Sequence, residues 1–383
     1  NYGIEHGCIG HTYAIRYEDD YIGVILLGEA IPWETDPIEM QNAPFYRLMG
    51  FVLDNYYRGY GLGGAVLEMV ITQIYEEFGV RPIACGVHRD NLRAAKFYER
   101  HGFLKNNAIE GNDIYYLRLI DKNKIEKCER QQATNKMVRA ITDILSGCGA
   151  SIYLYGSSVL DDFKLGWSDI DILVLTEKQI TEEQAQKLVM LRQTLLEGEP
   201  ENLYYRSFEG GMLTLKTFLS GENDRVVYWG TSGQRITDTY KSDSFGMMEL
   251  LDNGVLLHGE DIRCQLKAPS YDDLYADVKR HYETIRKYVK TAGRDFYSFG
   301  WMLDISRCLY TLRTGKIIAK TAAAEWALEN KLCPVPDVLG RALEVRNSPL
   351  IHTDDATLDY AETLAEPIQR FADVLENELR CPI

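Results

Sequence analysis

The stretch that most restricts the fold is GWSDIDILV, residues 166–174, because it places two aspartates at the start of an otherwise apolar strand. In a strand, Asp169 and Asp171 share one face, about 7 Å apart, while Ile170 and Ile172 point the other way. Adjacent carboxylates in a half-buried strand repel each other unless a cation lies between them. Mg²⁺, which takes one or two carboxylates together with phosphate oxygens, suits this pattern. The alternative is a solvated pair on an edge strand.

A turn of small residues precedes this strand. The segment LYGSSVLDDF puts Gly156 and Ser157 at the end of another predicted strand, where amides and hydroxyls can approach a phosphate. Gly-Ser, eleven further residues and Asp-x-Asp together resemble the signature of the nucleotidyltransferase superfamily. This resemblance implies a polymerase-beta-like α/β domain, in which Gly156, Ser157 and Ser168 position the triphosphate of ATP while Asp169 and Asp171 hold Mg²⁺.

The same resemblance implies a third carboxylate, on a neighbouring strand, that activates an acceptor hydroxyl. Glu209 in RSFEGGML is the preferred candidate for this base, and Glu201 in the polar segment GEPEN is the alternative. Further on, LDISRCLYTLRTGKIIAKTAAAEWAL at 303–328 resembles the C-terminal part of streptomycin/spectinomycin adenylyltransferases. Carried over from that subfamily, Arg307 and Lys320 contact the ATP phosphates.

This narrower resemblance implies transfer of AMP from ATP to a hydroxyl of an aminoglycoside or aminocyclitol antibiotic. The identity of the drug stays open, because the positions that hold its cationic groups in those enzymes correspond here to Thr231, Ser232, Tyr297 and Ser298. Asp295 is a compensating carboxylate. Another small molecule or a protein is the alternative acceptor.

A second glycine-rich segment, RGYGLGG, lies earlier in the chain between a predicted strand and a predicted helix. Its glycines allow the first amides of that helix to point at an anion with no side chain in the way. The segment matches neither a P-loop nor the GxGxxG dinucleotide spacing, and a turn that only packs the helix is the alternative. The residues assigned to the anion site are Arg58, Gly59, Gly61, Gly63 and Gly64.

The segment VHRDNLRAAKFYERHGF follows about 30 residues later, and the two segments together resemble the GNAT acetyltransferases. The resemblance implies that acetyl-CoA binds at the glycine loop, that Asn91 contacts its pantetheine arm, and that Tyr98 protonates the departing thiolate. Asp54, Glu29 and Glu34 are equal candidates for the base. Because the chain lacks an initial Met and little sequence precedes its first predicted strand, we expect an N-truncated domain. A non-catalytic binding or dimerisation module is the alternative.

The order of motifs predicts a multidomain chain of α/β and α+β class. A GNAT-like mixed sheet with helices is expected over 1–122, and the charged segment 123–130 is the predicted linker. A nucleotidyltransferase α/β domain over 131–263 and a C-terminal helical domain over 264–383 complete the prediction. Within the second of these domains, YYRSFEGGMLTLKTF at 204–218 is predicted as strand.

Charge and cysteine usage limit the partners. The net charge is −15, and both the first 122 residues and the remainder are acidic, which disfavours nucleic acid and favours a cationic small molecule. The eight cysteines show no CxxC pair, so neither a zinc site nor a disulfide framework is expected. No apolar run approaches the roughly 20 residues that span a bilayer, and we predict a cytoplasmic protein without membrane contact.

Overall fold

The computed structural model describes residues 10–30, 34, 36–41, 44–120, 122–230 and 233–380, with the side chains of 122–125 excepted. The chain divides into two compact units, Asn1–Thr134 and Asn135–Ile383. Each unit contains a mixed sheet together with helices, and the end of the second unit is helical. The predicted fold class is therefore confirmed.

The first unit is built on one sheet in the order β1-β2-β3-β4-β6-β5. Its strands are β1 (Gly10–Tyr17), β2 (Asp20–Ala30), β3 (Phe45–Leu53), β4 (Ile83–His88), β5 (Leu104–Glu110) and β6 (Asp113–Arg118). Its helices are α1 (Ile38–Gln41), α2 (Leu62–Phe78) and α3 (Leu92–Arg100). One face of α2 is buried against the sheet through Leu67, Val70, Ile71 and Ile74, as the spacing of these residues predicts.

The first sheet is split between the parallel strands β3 and β4. These strands pair only from Tyr46↔Ile83 to Leu48↔Cys85, and both continue beyond that point, β3 to Leu53 and β4 to His88. Past Leu48 the facing backbone groups of the two strands make no ladder pairs with each other among the described residues. The opening lies next to the glycine loop, because that loop follows β3 directly.

The second unit has a sheet in the order β11-β10-β9-β8-β7-β12, in which β8 and β9 are parallel. Its strands are β7 (Ala150–Tyr155), β8 (Ile170–Thr176), β9 (Phe208–Thr214), β10 (Val226–Gly230), β11 (Gly233–Thr237) and β12 (Val255–His258). The central strands β8 and β9 are almost fully buried, as their apolar runs lead one to expect.

Helices cover this sheet and then form a layer of their own. Those associated with the sheet are α5 (Glu182–Gly198), α6 (Leu215–Ser220) and α7 (Ser244–Asn253). The helical layer consists of α8 (Tyr271–Tyr288), α9 (Tyr297–Thr314), α10 (Lys320–Glu329), α11 (Pro336–Asn347), α12 (Asp355–Glu362) and α13 (Ala365–Arg380). Its core surrounds α9, which buries residues such as Phe299, Met302 and Leu309 completely.

One predicted segment differs from the structure. The expected strand over 204–218 is confined to β9, because the Thr214 hydroxyl accepts a hydrogen bond from Thr217 N at 3.1 Å and starts α6. The segment 123–130 lies within the helix α4 (Lys122–Ile144), and its role as a linker stays a prediction. The boundary between a nucleotidyltransferase domain and a helical domain near 263 stays a prediction. Across the described part of the chain, no helix is both long and apolar enough to cross a membrane.

Candidate active sites

The second unit contains a cavity of about 970 Å³. It lies between the helical layer and one edge of the sheet, where β7 ends and where β8 and β9 begin. All residues predicted for nucleotide, metal and base line this cavity: Gly156, Ser157, Ser168, Asp169, Asp171, Glu209, Arg307 and Lys320. The alternative base, Glu201, lies in an exposed turn and is not part of the lining. Residues far apart in sequence thus meet in one chamber.

Strand register brings the three carboxylates together. Asp171 pairs with Glu209 across the parallel strands β8 and β9, and Asp169 precedes β8 by one residue. Burial and the nearby charge of Glu209, to which Asp169 is hydrogen-bonded, raise the pKa of Asp169 to about 7. Burial and the charge of Asp169 raise the pKa of Asp171 well above its ordinary value. The site therefore favours neutral carboxyl groups as long as no cation lies between them.

Two glycines make this close arrangement sterically feasible. Gly156 has a φ of +69°, and a Cβ there would lie 2.1 Å from Asp171 Oδ2. Gly210, next to Glu209, has a φ of +145°, and a Cβ there would lie 1.8 Å from the backbone oxygen of Ile172. A side chain at either position would therefore displace Asp171 or separate the two central strands.

Glu209 is held from the neighbouring strand β10. The hydroxyl of Tyr228 donates a hydrogen bond to Glu209 Oε1 at 3.1 Å. The ring of Tyr228 in turn carries the guanidinium of Arg235, 4.6 Å from its centroid. Tyr228 itself lines the cavity, so its contact with Glu209 lies at the site. Tyr228 was not predicted, because nothing in the sequence of β10 marks it as a partner of a residue on β9.

The loop that joins β7 to β8, residues 156–169, is the predicted phosphate loop, and two of its serines hydrogen-bond to its own backbone. Ser157 Oγ donates to the backbone oxygen of Asp169 at 3.3 Å, and Ser168 Oγ accepts from the backbone N–H of Lys164 at 3.0 Å. The buried hydroxyl of Ser158 finds no hydrogen-bond partner among the described atoms. The loop between β7 and β8 is thus folded back on the start of β8.

The two predicted phosphate-binding cations reach the cavity from the helical layer, each beside an acid. Arg307 Nη1 lies 3.0 Å from Glu249 Oε1, and Lys320 Nζ lies 2.9 Å from Asp304 Oδ1. Although burial opposes ionisation, Lys320 and Arg307 lower the pKa of Asp304. Neither Glu249 nor Asp304 was predicted. The only local signal for Asp304 was its spacing, three residues before Arg307 on the same helix.

The outer wall of the cavity is aromatic and acidic. Trp167 stacks on Phe296 with ring centroids 5.3 Å apart, and Asp295 and the exposed Tyr297 lie next to them. Ser298 is buried and donates to the backbone oxygen of Gly293 at 2.7 Å, so it does not line the cavity. Thr231 and Ser232, the other positions compared with drug-binding residues, lie outside the described residues.

The carboxylate pair provides suitable ligands for Mg²⁺. Asp169 and Asp171 offer hard oxygen donors, and their mutual repulsion is the kind that a divalent cation relieves. Within the described ranges, no three His, Cys, Asp or Glu side chains form a metal-binding group by themselves. Mg²⁺ usually binds one or two carboxylates and takes its other ligands from phosphate and water, so this pair is the share expected from the protein.

The first unit presents its glycine loop at the start of α2. Gly59 and Gly61 have φ values of +97° and +80°, and a Cβ at either would meet no atom within 4 Å. Gly61 is the N-cap of α2 and offers no side chain to its first amides. Arg58 points back to β3 and donates from Nε to the backbone oxygen of Leu53 at 2.8 Å. The amides of the first turn are thus accessible to an anion.

The next two glycines allow close packing. A Cβ on Gly63 would lie 3.4 Å from side-chain atoms of Leu53 and Phe97, which is ordinary contact. A Cβ on Gly64 would lie 2.5 Å from Cε1 of His101, so the imidazole lies directly against this helical turn. The His101 ring also packs on Phe97, with centroids 4.7 Å apart. Gly64 therefore has a packing role in addition to the predicted anion-binding role.

The other residues predicted for the first site have structural partners. Asn91 caps α3, because its side-chain oxygen accepts from Ala94 N at 3.1 Å. Tyr98 packs against Phe97 and Phe103, and burial raises its pKa far above the ordinary value. The phenol is consequently protonated at neutral pH.

The three candidates for the base of the first site are placed differently. Glu29 forms an ion pair with Arg81 at 3.3 Å. Asp54 caps the turn after β3 by accepting from Tyr56 N at 2.9 Å. Glu34 lies in an exposed turn. No contact among these singles out one of them as a base.

Three family models match separate parts of the chain. The acetyltransferase (GNAT) family matches residues 2–103, the nucleotidyltransferase domain matches 135–209, and the aminoglycoside adenylyltransferase C-terminal domain matches 269–373. The chain is a fusion of a GNAT domain with a nucleotidyltransferase domain and an aminoglycoside adenylyltransferase C-terminal domain. Both parts of this fusion are thus of transferase type, and residues of both matched segments of the second unit line its cavity.

Curated relatives match the GNAT part of the fusion. A probable spermine N(1)-acetyltransferase of Bacillus subtilis subsp. natto (strain BEST195) and a spermine/spermidine N(1)-acetyltransferase of Bacillus subtilis (strain 168) are each 28% identical to it over 98 residues. The match covers 26% of the fusion and 62% of each relative. The fusion therefore spans less than two thirds of the length of these relatives.

Solved structures resemble each part. A spectinomycin adenyltransferase from Enterococcus faecialis, crystallised with ATP and spectinomycin, is 18% identical with a TM-score of 0.47, over 64% of the fusion and 99% of that chain. An N-acetyltransferase from Thermoplasma acidophilum in complex with coenzyme A is 19% identical with a TM-score of 0.24, over 29% and 61% respectively.

Proposed function

We propose that the second unit transfers AMP from ATP to a hydroxyl group of a cationic aminoglycoside or aminocyclitol antibiotic. The observation that carries the proposal is the convergence of Asp169, Asp171 and Glu209 on one cavity that Arg307 and Lys320 also line. Two acids suited to a metal, a third suited to a base and two cations suited to phosphates are the groups that nucleotidyl transfer requires. The match of 269–373 to an aminoglycoside adenylyltransferase domain supports this class of acceptor.

In the proposed reaction, Glu209 removes the proton of the acceptor hydroxyl. The acceptor oxygen then forms a bond to the α-phosphorus of ATP while the bond from that phosphorus to the pyrophosphate oxygen breaks. Pyrophosphate leaves, and the drug carries AMP as a phosphodiester. Tyr228 holds Glu209 from the neighbouring strand through its 3.1 Å hydrogen bond, which fixes the direction of the base.

ATP would be held from both sides of the cavity. Gly156 and Ser157 would present backbone amides to the phosphates, while Arg307 and Lys320 would supply positive charge from the helical layer. When bound by Asp169 and Asp171, Mg²⁺ supplies neutralisation of the charge on the reacting phosphate. Since the two cations already lie beside Glu249 and Asp304, they are oriented before ATP arrives.

The acceptor would lie against the outer wall. Trp167 and Phe296 offer stacked aromatic faces, and Asp295 offers a carboxylate to an ammonium group. The net charge of −15 attracts a polycationic drug. Because Tyr297 and not an acid occupies the position next to this carboxylate, we propose an acceptor with few ammonium groups on that side.

For the first unit we propose binding of acetyl-CoA and transfer of its acetyl group to an amine. The pyrophosphate would bind the first amides of α2, and the pantetheine arm would use the facing backbone groups of β3 and β4 beyond Leu48. Tyr98, protonated at neutral pH, would give its proton to the departing thiolate. The curated relatives are named for spermine and spermidine, which are polycationic amines like the proposed drugs.

The proposal for the second unit is tested by pyrophosphate release. The full chain is incubated with MgATP and, one at a time, members of a panel of aminoglycosides and aminocyclitols. We expect at least one drug to increase pyrophosphate release above the level with ATP alone, and Glu209→Gln to remove this increase. If no drug stimulates the release of pyrophosphate, the proposal that an antibiotic is the acceptor is overturned.

A further inference from the structure

Helix α10, which carries Lys320 as its first residue, begins without a capping side chain of its own. Its N-cap is Ala319, which has an extended ψ of 148° but no side-chain oxygen. The first amides of a helix have no partner within the helix and need an acceptor from elsewhere. A helix that begins at a functional lysine thus depends on another part of the chain for its cap.

Asp162 fills this role from the loop between β7 and β8, 159 positions earlier in the chain. Its Oδ2 accepts from the backbone N–H of Thr321 at 3.3 Å, and its Oδ1 accepts from the Thr321 hydroxyl at 2.6 Å. Thr321 is the second residue of α10, which is a position whose amide a capping side chain normally satisfies. The phosphate loop therefore caps the helix that bears Lys320.

Arg346 on α11 stabilises the contact between Asp162 and Thr321 by hydrogen-bonding to both residues. Its Nη2 donates to Asp162 Oδ2 at 2.7 Å and to the Asp162 backbone oxygen at 3.1 Å, and its Nε donates to Thr321 Oγ1 at 3.1 Å. The side chains of Arg346 and Asp162 are only 3% and 6% exposed. A buried, multiply hydrogen-bonded pair of this kind has one geometry, because any displacement leaves a buried charge without a partner.

The network lies beside the reacting groups. Lys320 precedes Thr321 in the same helical turn, and its ammonium is close enough to Asp169 and Asp171 to oppose the rise in their pKa. Ser168, at the other end of the loop that contains Asp162, precedes Asp169 directly. A single carboxylate thus joins the loop that leads to the acidic pair and the helix that presents the cation.

We propose that Asp162 is a positioning residue, which caps α10 through Thr321 and thereby fixes Lys320 over the phosphates of ATP. This inference rests on the proposed binding of ATP in the same cavity. Asp162 does not touch the reacting atoms in this account; it acts through Lys320. The competing explanation is an ion pair that only stabilises the fold, and it predicts no connection between Asp162 and Lys320 in ATP affinity.

The test is a double-mutant cycle in the full chain, with the dissociation constant for MgATP as the readout. Thr321→Val removes the hydroxyl and keeps the shape, and we expect it to weaken ATP binding about 5-fold, the effect of one lost hydrogen bond. Lys320→Met should also weaken binding. If Thr321 acts through Lys320, Thr321→Val should have no further effect in the Lys320→Met background.

Matched variants separate this effect from lost stability. Thr311 on α9 has a hydroxyl without a hydrogen-bond partner in the described structure, so Thr311→Val is the control for exchanging threonine for valine in the helical layer and should leave ATP affinity unchanged. Asp162→Asn keeps the size of the side chain and halves its role as acceptor. It should weaken ATP binding in the same Lys320-dependent manner. Because Asp162→Asn also leaves the buried guanidinium of Arg346 without its opposite charge, Thr321→Ala is the variant that replaces Thr321→Val if that one does not fold.

The outcomes distinguish the two proposals. If the unmodified chain binds ATP and Lys320→Met does not weaken that binding, the role of Lys320 is overturned, and with it the role of Asp162. Equal losses from Thr321→Val with and without Lys320 would overturn the positioning role while leaving ATP binding itself intact. No binding of MgATP by the unmodified, folded chain would instead contradict the proposed function, on which the inference depends.

Discussion

Glu209 lies directly across from Asp171, as its register partner in the parallel pair of β8 and β9. The same register places Asp169 within hydrogen-bonding distance of Glu209. Three acids therefore occupy adjacent positions at one end of two central strands, where their charges oppose one another. Such an arrangement is unfavourable for the isolated protein and favourable for a site that receives a cation and a phosphate chain.

Replacing one of these acids should raise the stability of the chain and abolish its activity. Asp171→Asn keeps the shape of the side chain and cannot ionise, so it removes the cost of keeping a buried carboxyl group protonated beside Asp169, and we expect the free energy of unfolding in EDTA to rise by about 1 kcal/mol at neutral pH. The same change should abolish transfer of AMP, because a metal ligand is lost. Asp252→Asn, at an exposed position of α7, is the control and should change neither quantity. Retained transfer in Asp171→Asn would contradict the metal role.

The hydrogen bond from Tyr228 to Glu209 should affect the chemical step and not ATP binding. Tyr228→Phe keeps the ring on which Arg235 lies and removes only the hydroxyl, so we expect kcat to fall about 10-fold while KM for ATP is unchanged. Tyr275→Phe removes a comparable hydrogen bond, 2.8 Å long, to the backbone oxygen of Leu379, away from the cavity. Equal kinetic effects of the two variants would contradict a specific role of Tyr228.

In the first unit, the contact between Gly64 and His101 should be required for acetyl-CoA binding. Gly64→Ala places a methyl group 2.5 Å from Cε1 of the imidazole, so either the His101 ring or the first turn of α2 must move. Because the ring is also packed on Phe97, we expect the turn to shift and the dissociation constant for acetyl-CoA to rise about 10-fold. Gly79→Ala, at the opposite end of α2, has a φ of +89° and no neighbour within 4 Å of the new Cβ. It should cost stability through backbone strain alone and leave affinity unchanged. Unaltered binding by Gly64→Ala would count against the anion site.

His281 should make the stability of the second unit depend on pH. Burial lowers the pKa of His281, whose ring packs edge-on against Phe245 with centroids 5.6 Å apart. The charged groups that act on it are Asp304 and Asp243, which raise its pKa, and Arg307 and Arg280, which lower it. Because the folded-state pKa lies below that of the unfolded chain, the stabilisation is present above about pH 6.5 and is lost as the pH falls through the lower folded-state pKa.

Urea unfolding at pH 5 and pH 8 measures this dependence. Asp169 and Asp171, whose pKa values are raised, favour the folded chain at low pH and act alike in both chains. Relative to the unmodified chain, His281→Gln should therefore lose less stability, or gain more, between pH 8 and pH 5. An unchanged difference in His281→Gln would assign the pH dependence to other groups.

Local motifs explain why so much of the second site was predictable. Asp169, Asp171, Gly156 and Ser157 lie within one strand–loop–strand segment, so their spacing alone predicts a common location. Glu209 was preferred over Glu201 by resemblance, and the parallel register of β8 and β9 gives the physical reason for its position. Periodicity likewise predicted the buried face of α2.

Contacts between distant segments could not be predicted from the sequence. Asp162 and Arg346 are 184 positions apart, and no local pattern indicates that they pair. Glu249 is a buried acid on α7 whose partner Arg307 lies on α9. The long strand predicted over 204–218 failed because Thr214 caps a helix there, and threonine also favours strands. Such features depend on tertiary packing, which overrides local preference.

The most direct test of the proposed transfer is the mass of the drug after reaction. The unmodified chain and Glu209→Gln are incubated in parallel with MgATP and each member of the antibiotic panel, and the products are analysed by mass spectrometry. We predict that at least one drug gains the mass of one AMP group with the unmodified chain, and that Glu209→Gln reduces this product at least about 100-fold. A drug modified equally well by Glu209→Gln, or no AMP on any drug, would contradict the account.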